Sequence, residues 1–402
     1  LFKFTMWKPA NFIEAMSPIF FINAIFCHGI FQYPHLDKSK LYYSLIFSIT
    51  TTIVFFMFFM YVFLNWTDRF FLTSPKGIYY VNTGIMILAM IINVIVGWTH
   101  KNKTLATNLR VIKVDKTLKK LGVPVNAKKE FYIIIMIVFI WILFVLFLDI
   151  SNIVATEKSD DRSEKIMRTV ILQHGHHVNI LINTIFCLFV KHMKIRFKSL
   201  NKVLLDIFKL QDNDSKHKKN TDYKWAVSRK INFEKDFMKI LHDVKRIHLE
   251  LGILCREITK IYGIPIVLSM ITAFINISSL TLITYMIIMS PQDPNFDKSV
   301  IVSSLLLWVI VFSLRIFIIN YNCADCEFEW KKTGEIIHTL EFDSKNKEFQ
   351  EEIKQFSIQI LQNPLKFSPC GLFDLGYYFL RDFAGTVTAQ VILSIQTYRF
   401  TS

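Results

Sequence analysis

Four of the five residues from 173 to 177 carry side chains that bind or coordinate: Gln173, His174, His176 and His177. Imidazole is a common zinc ligand, so three histidines within four positions raise a metal site as one reading. A helix places His174 and His177 on one face and turns His176 elsewhere, so this segment alone offers two ligands. Two further readings stand beside zinc: a lining for a polar ligand, and ordinary packing at a membrane interface. Asp149 follows an uncharged run from Phe131 to Leu148. Its carboxylate either reaches back to the interface or accepts hydrogen bonds from a polar molecule. Near these positions in the same membrane half fall Tyr79, Asn82, Thr83, Trp141, Asn152, Thr281, Tyr285, Ser304 and Trp308. Aromatic walls with a few placed polar groups are what a small-molecule pocket needs. An aromatic belt at a bilayer surface supplies the same residues.

Other chemistries lack their residues. Cys323-Ala-Asp-Cys326 is a single CxxC with no second pair or spaced histidine, which leaves two thiols at a helix end. No phosphate-binding glycine loop, GxSxG or HExxH occurs. No catalytic residue and no cofactor is therefore assigned. The closing segment Phe383–Thr397 is polar and rich in small residues. Gly385, Thr386, Thr388, Ala389 and Ser394 allow close helix approach, while Gln390 and Gln396 require partners or water. Such a helix suits the wall of a water-filled pore; the alternative is a tightly packed bundle helix bonded to its neighbours.

The elements that position these residues follow from composition. The chain has 402 residues, 52% hydrophobic and 15% aromatic, with 38 Phe but only 12 Gly and 10 Pro. Its mean hydropathy is +0.36 and its apolar residues come in long uncharged blocks. That pattern reads as a polytopic membrane protein and excludes disordered, fibrous and disulfide-framework classes. The net charge of +15 lies between the apolar blocks, which is a topology signal rather than a nucleic-acid signal.

Seven segments read as spans: Tyr43–Leu64, Ile78–Trp98, Phe131–Ile150, Val170–Val190, Tyr262–Met289, Val300–Ile319 and Phe383–Thr397. The seventh reads as a split helix, a wet half at Gly371–Asp382 feeding a short membrane half. Met16–Phe31 is too short to span and reads as a re-entrant or interfacial helix. The chain begins at Leu1, so its N-terminus is expected to have been trimmed. The connection Thr99–Glu130 holds nine Lys or Arg and two acids, and Lys194–Ile261 is basic too, with Lys216, Lys218 and Lys219 in a cluster. Asn65–Gly77, Ser151–Lys165 and Ser290–Lys298 carry few basic residues, so these three are expected outside. The N-terminus is then cytoplasmic and the C-terminus extracellular. Cys27, Cys187, Cys255, Cys323, Cys326 and Cys370 all fall on the reducing side of this arrangement, and the sequon Asn65-Trp66-Thr67 falls outside.

Phe197–Leu210, Asn232–Ile258 and Glu327–Gln362 carry apolar residues at helical spacing, with a polar break at Gln211–Asp222 read as a mobile loop. Spans four, five and six are expected to continue past the membrane into a cytosolic anchor. The fold class is thus all-α with seven spans. Its parts are an N-terminal region 1–41, spans one to four in 42–194, a cytosolic extension 195–261, spans five and six in 262–320, anchor helices 321–382 and the last span with the C-terminus 383–402.

Gly385-Thr-Val-Thr388, Val391–Ile395 and Gln396 follow a closing signature of Thr-Tyr, five mostly apolar residues and Gln-Phe, and on it the chain resembles an insect gustatory receptor. Ala389, Gln390 and Thr397 depart from it, standing for the Thr, Tyr and Phe. Phe367-Ser-Pro-Cys-Gly-Leu372 resembles the segment entering the seventh helix, and Arg196-Phe197-Lys-Ser-Leu-Asn201 the segment where the fourth leaves the membrane. The resemblance implies a tetrameric, ligand-gated, non-selective cation channel of the plasma membrane. It is opened by a small extracellular tastant, as a homotetramer or with related receptors, in contact with lipid and not with nucleic acid. Asp149, His174, His177, Tyr79, Asn82, Thr281, Tyr285, Ser304 and Trp308 are the expected ligand-lining residues. Thr388, Ile392, Leu393, Gln396 and Thr397 are the expected pore-lining residues, monovalent and divalent cations passing between them. A zinc-dependent seven-helix hydrolase using His174, His177 and Asp149, or a non-conducting auxiliary subunit, are the alternatives.

Overall fold

A computed structural model describes residues 9–26, 38–66, 76–155, 162–217, 223–290, 297–343 and 347–401; within them the side chains at 38–41, 62–63, 65–66, 76–83, 162, 164, 168, 207–217, 223–237, 340–343 and 400–401 are not among those described. Cys27, Thr67 of the sequon and the Lys218–Lys219 pair lie outside the described residues. Every regular element within them is helical: α1 Phe12–Ile25, α2 Lys38–Trp66, α3 Lys76–Thr99, α4 Lys101–Lys120, α5 Ala127–Ala155, α6 Arg162–His217, α7 Tyr223–Met289, α8 Lys298–Asp343, α9 Lys347–Gln362 and α10 Tyr377–Thr401. A short 3₁₀ turn, Pro369–Gly371, precedes α10.

Backbone polar groups in hydrocarbon must be satisfied within the segment, which makes the apolar blocks helices. Five of these helices are long and apolar enough to cross a membrane, and the pair α3–α4, bent by 61° at its break, adds a sixth. At 25 residues α10 is long enough as well, but too polar to count among these five. Three helices greatly exceed one bilayer. α6, α7 and α8 have 56, 67 and 46 residues; at ~1.5 Å per residue even the shortest is about twice the ~30 Å hydrocarbon core. One end of the bundle, termed upper here, carries the ends of α5, α7 and α10 and the starts of α6 and α8. The lower end holds the extensions of α6, α7 and α8 together with α9.

The lower end explains the Arg196–Asn201 segment. Arg196, fully buried, donates to both oxygens of Asp115 at 2.8 and 2.7 Å and to the His192 carbonyl at 2.8 Å. Its guanidinium sits 5.0 Å over the ring of Phe12 in α1. Phe197 meets His248 and Trp330, each at 5.5 Å, while Asn201 donates to the Glu329 carbonyl and accepts from Thr333 at 2.7 Å. Arg196, Phe197, Leu200 and Asn201 thus face inward, and Lys198 faces out. His248 lies 3.8 Å from Trp330, and burial pushes its imidazole down to about 3, so it is neutral at physiological pH.

Gly252 shows how tight this packing is. A Cβ there would stand 2.7 and 2.9 Å from two ring carbons of Trp330, which Phe197 and His248 hold in place. Gly252→Ala gains helix propensity, yet overpacking costs about 1–3 kcal/mol and should prevail. Thermal unfolding of the purified protein in detergent should show a lower midpoint; an unchanged or higher one would contradict this packing.

Four features differ from the sequence reading. The basic connection after α3 contains a helix, α4, which buries Val111, Val114 and Leu118. Its seven Lys and Arg hide a narrow apolar stripe, and Arg110 binds Glu250 and Glu257 of α7 at 2.6 Å each. The N-terminal helix starts four residues before Met16, at Phe12, where the Asn11 side chain caps it. Helix α6 runs to His217, so Gln211–His217 is helical rather than loop. Finally, α10 is unbroken from Tyr377 to Thr401. The break expected near Asp382 lies earlier, where Cys370, Gly371 and Gly376 take φ of 52°, 72° and 152°. There the amide of Gly376 donates to Asn320 Oδ1 at 2.8 Å and that of Leu375 to the Phe367 carbonyl at 2.8 Å.

Candidate ligand site and pore helix

At the upper end α5, α6 and α8 converge. The last turns of α5 present Asp149 and Asn152, the first half of α6 presents His176 and His177, and the first half of α8 presents Ser304 and Trp308. His177 Nε2 and Asp149 Oδ1 are 2.9 Å apart, both side chains largely buried. Trp308 Nε1 donates to Asn152 Oδ1 at 2.9 Å, and Ser304 Oγ donates weakly to the same oxygen at 3.4 Å. The ring of His176 lies 5.4 Å from Trp308 and 5.3 Å from Phe312. Polar atoms remain at this cluster for a ligand: His177 Nδ1, His176 Nδ1 and Asn152 Nδ2 are buried without a hydrogen-bond partner among the described residues, as is Gln173 Oε1 one turn before His177 on α6. Aromatic walls with a few unengaged polar atoms can hold a small, partly polar molecule.

The structure therefore brings Asp149, His177, Ser304 and Trp308 together, and it separates the others. His174 turns to α1 and α2, where its ring stacks on Phe26 at 5.5 Å and meets Phe55 at 4.5 Å. Residues three apart are ~60° from eclipsed on a helix, enough for two different neighbours to take one each. The zinc set His174, His177 and Asp149 does not assemble. Among the described residues no group of three or more His, Cys, Asp or Glu could hold a metal ion. Thr281 returns its hydroxyl to the Ile277 carbonyl at 2.7 Å. The hydroxyl of Tyr285 accepts from Arg399 Nε at 2.7 Å, and its ring meets Tyr398 at 6.4 Å, so Tyr285 ties α7 to the end of α10. Tyr79 and Asn82 lie in α3, with side chains outside the described set. Sequence reasoning turned His176 away from the site, and it missed Phe312. The aromatic spacing of Trp308 and Phe312, one helical turn apart, was the available signal.

Helix α10 packs along one stripe. Phe383, Val387, Val391, Ser394, Ile395 and Tyr398 are partly covered, and Thr388, Ile392, Leu393, Gln396 and Thr397 are exposed. At ~100° per residue Gln396 and Ile392 fall opposite that stripe, while Thr388 and Thr397 flank it. The hydroxyls of Thr388 and Thr397 bond to the carbonyls of Ala384 and Leu393 at 2.8 and 2.9 Å. Lower down, the cysteines of the CxxC are fully buried, and burial pushes both thiols well up.

These features define a multi-pass helical membrane protein with a polar-aromatic cluster between three helices and a polar terminal helix. The model of the 7tm chemosensory receptor family matches residues 20–398, and the chain belongs to that family. It is 32% identical over 66 residues to the protein named "Putative gustatory receptor 28b" of Drosophila melanogaster, a match spanning 16% of this chain and 14% of that one. Its fold is similar to that of the insect olfactory receptor OR5 of Machilis hrabei, solved in complex with eugenol. The TM-score is 0.56 and the identity 12%, over 95% of this chain and 97% of that one.

Proposed function

We propose that this chemoreceptor is a gustatory receptor: a homotetrameric, non-selective cation channel of the plasma membrane, opened by a small molecule from outside. In this reading the upper end is extracellular, the N-terminus is cytoplasmic and the anchor lies in the cytosol. The observation that carries it is the exposed face of α10. Thr386, Thr388, Gln390 and Gln396 stand exposed on a helix within the bundle. The threonine hydroxyls bond to carbonyls of their own helix, but lipid offers the glutamine amides no hydrogen bonds, whereas copies of the same helix around a water-filled axis do. The eugenol complex of the olfactory receptor shows a small organic molecule bound to a protein of this fold, and the Asp149–His177–Trp308 cluster offers a place for one here. A ligand opens such a channel only by binding the open state more tightly, which the Tyr285–Arg399 contact between α7 and α10 is placed to transmit.

Expression in cells without endogenous taste receptors tests the reading. A panel of small polar and aromatic compounds should elicit a cation current carried by both monovalent and divalent ions. Surface protein with no current, alone or with related receptors, would overturn it. Current only with a related receptor would favour an auxiliary subunit, a reading supported by the departures at Ala389, Gln390 and Thr397.

A further inference from the structure

Arg315 is the one charged residue in the apolar run Val300–Ile319. It lies 17 positions into α8, about 25 Å along the helix from Lys298 at ~1.5 Å per residue, and is 6% exposed. Its Nη2 donates to the Ser269 carbonyl at 3.0 Å and to Thr272 Oγ1 at 3.3 Å, both on α7. Its Nε and Nη1 are buried with no hydrogen-bond partner among the described residues. The guanidinium stacks 5.0 Å from Phe312, whose ring also meets His176 and Trp308. Around it α6 contributes Asn179 and Asn183 and α7 contributes Ser269 and Thr272, all of them neutral. Among the described residues no carboxylate pairs with Arg315, although a guanidinium keeps its proton and an unpaired buried charge is costly.

The remaining hydrogen-bond capacity of Arg315 itself is donor only. Thr272 Oγ1 donates to the Ser269 carbonyl at 3.0 Å and accepts from Asn179 at 3.4 Å, and Ser269 Oγ accepts from Asn183 Nδ2 at 2.7 Å. Asn183 Oδ1 has no hydrogen-bond partner among the described residues. Exchanging the oxygen and nitrogen of that amide reverses its bond with Ser269, whose hydroxyl then donates to Oδ1, and puts an NH2 group where the unpartnered oxygen stood. What is left over is the N–H groups of Nε and Nη1, a net positive charge, and an amide that can donate. The unpaired guanidinium charge calls for an acceptor carrying negative charge, and the amide can donate to the same acceptor.

We propose that Arg315, with Ser269 and Asn183 beside it, forms a binding site within the membrane bundle for one small monovalent anion, a halide or a carboxylate. The site joins α6, α7 and α8 below the upper cluster, with the Phe312 ring between the two. Bound there, the anion offsets the guanidinium charge and clamps the three helices. The occupant can be a free halide or the carboxylate of a small organic acid, and both use the same donors.

The test is thermal unfolding of the full-length protein in detergent, titrated with chloride, bromide or acetate against sulfate at constant ionic strength. The unfolding midpoint of the wild type should rise by several degrees and saturate with one or more of the monovalent anions. Arg315→Gln should abolish that rise. A rise with halides assigns a free ion, and a rise with acetate alone assigns a carboxylate. Should Arg315→Gln fail to fold, Ser269→Ala keeps the guanidinium and its carbonyl partner and should raise the half-saturating anion concentration severalfold. A wild type indifferent to all three anions, or an equal rise in a folded Arg315→Gln, would overturn the proposal. The readout is unfolding, so this result and the channel's ability to conduct are separate.

Discussion

Asp149→Asn should raise the half-maximal concentration of an activating ligand about ten- to a hundredfold while leaving the maximal current near that of the wild type. Asp149 and His177 are 2.9 Å apart at the meeting of α5, α6 and α8, beside Trp308. In the tautomer with Nε2–H donating to the carboxylate, Nδ1 is an acceptor, and that atom has no partner among the described residues. Asparagine keeps the shape but removes the charge that selects this tautomer, so the ring no longer holds one hydrogen-bonding sense toward a ligand. A hydrogen bond involving a charged group contributes about 1.5–3 kcal/mol, and ~1.4 kcal/mol is tenfold in affinity. Dose–response curves on cells matched for surface protein check this. An unchanged half-maximal concentration would remove the pair from the ligand site. If the variant loses surface protein while the survivors respond normally, the pair is purely structural.

Gln396→Glu should raise the permeability of divalent over monovalent cations severalfold, and Gln396→Ala should change conductance or basal leak without moving the ligand's half-maximal concentration. Gln396 is exposed on the face of α10 opposite its packed stripe. Copies of that face around a channel axis would form a collar of neutral amides, which replaces part of a cation's hydration without holding it tightly. A carboxylate from each subunit turns the collar into a ring of negative charge. Ligand affinity should stay constant because Asp149, His177 and Trp308 belong to α5, α6 and α8. Single-channel recording with reversal potentials in mixed cation solutions measures each effect. A glutamine bonded within the bundle would behave otherwise: its removal would strand a partner at about 1–3 kcal/mol, lowering folded protein with unaltered permeation.

The sharpness of the Gln396 experiment rests on features that were plain in the sequence. Gly385, Thr388, Gln390 and Gln396 mark α10 as unfit for lipid before any neighbour is known. The uncharged run Phe131–Leu148 permits only a helix in hydrocarbon, and it became the body of α5. Arg196, Phe197, Leu200 and Asn201 share a spacing that places them on one side of α6. In each case the signal is local, carried by residue type and helical period.

Helix α4 escaped that reading because seven cations outweigh its buried Val111, Val114 and Leu118 in any composition window. The fate of His174 and His177 escaped it for a different reason. Periodicity gives the angle of a side chain about its own helix, but not which helix stands opposite. Only packing sent His174 to Phe55, His177 to Asp149 and Tyr285 to Arg399. Arg315 is the sharpest case. The sequence by itself determined that a charge lies inside an apolar span. The tertiary structure decided that its neighbours on α6 and α7 are neutral and already bonded to one another. Long-range pairing sets the electrostatic environment of a buried group, and no period of 3.6 residues encodes it.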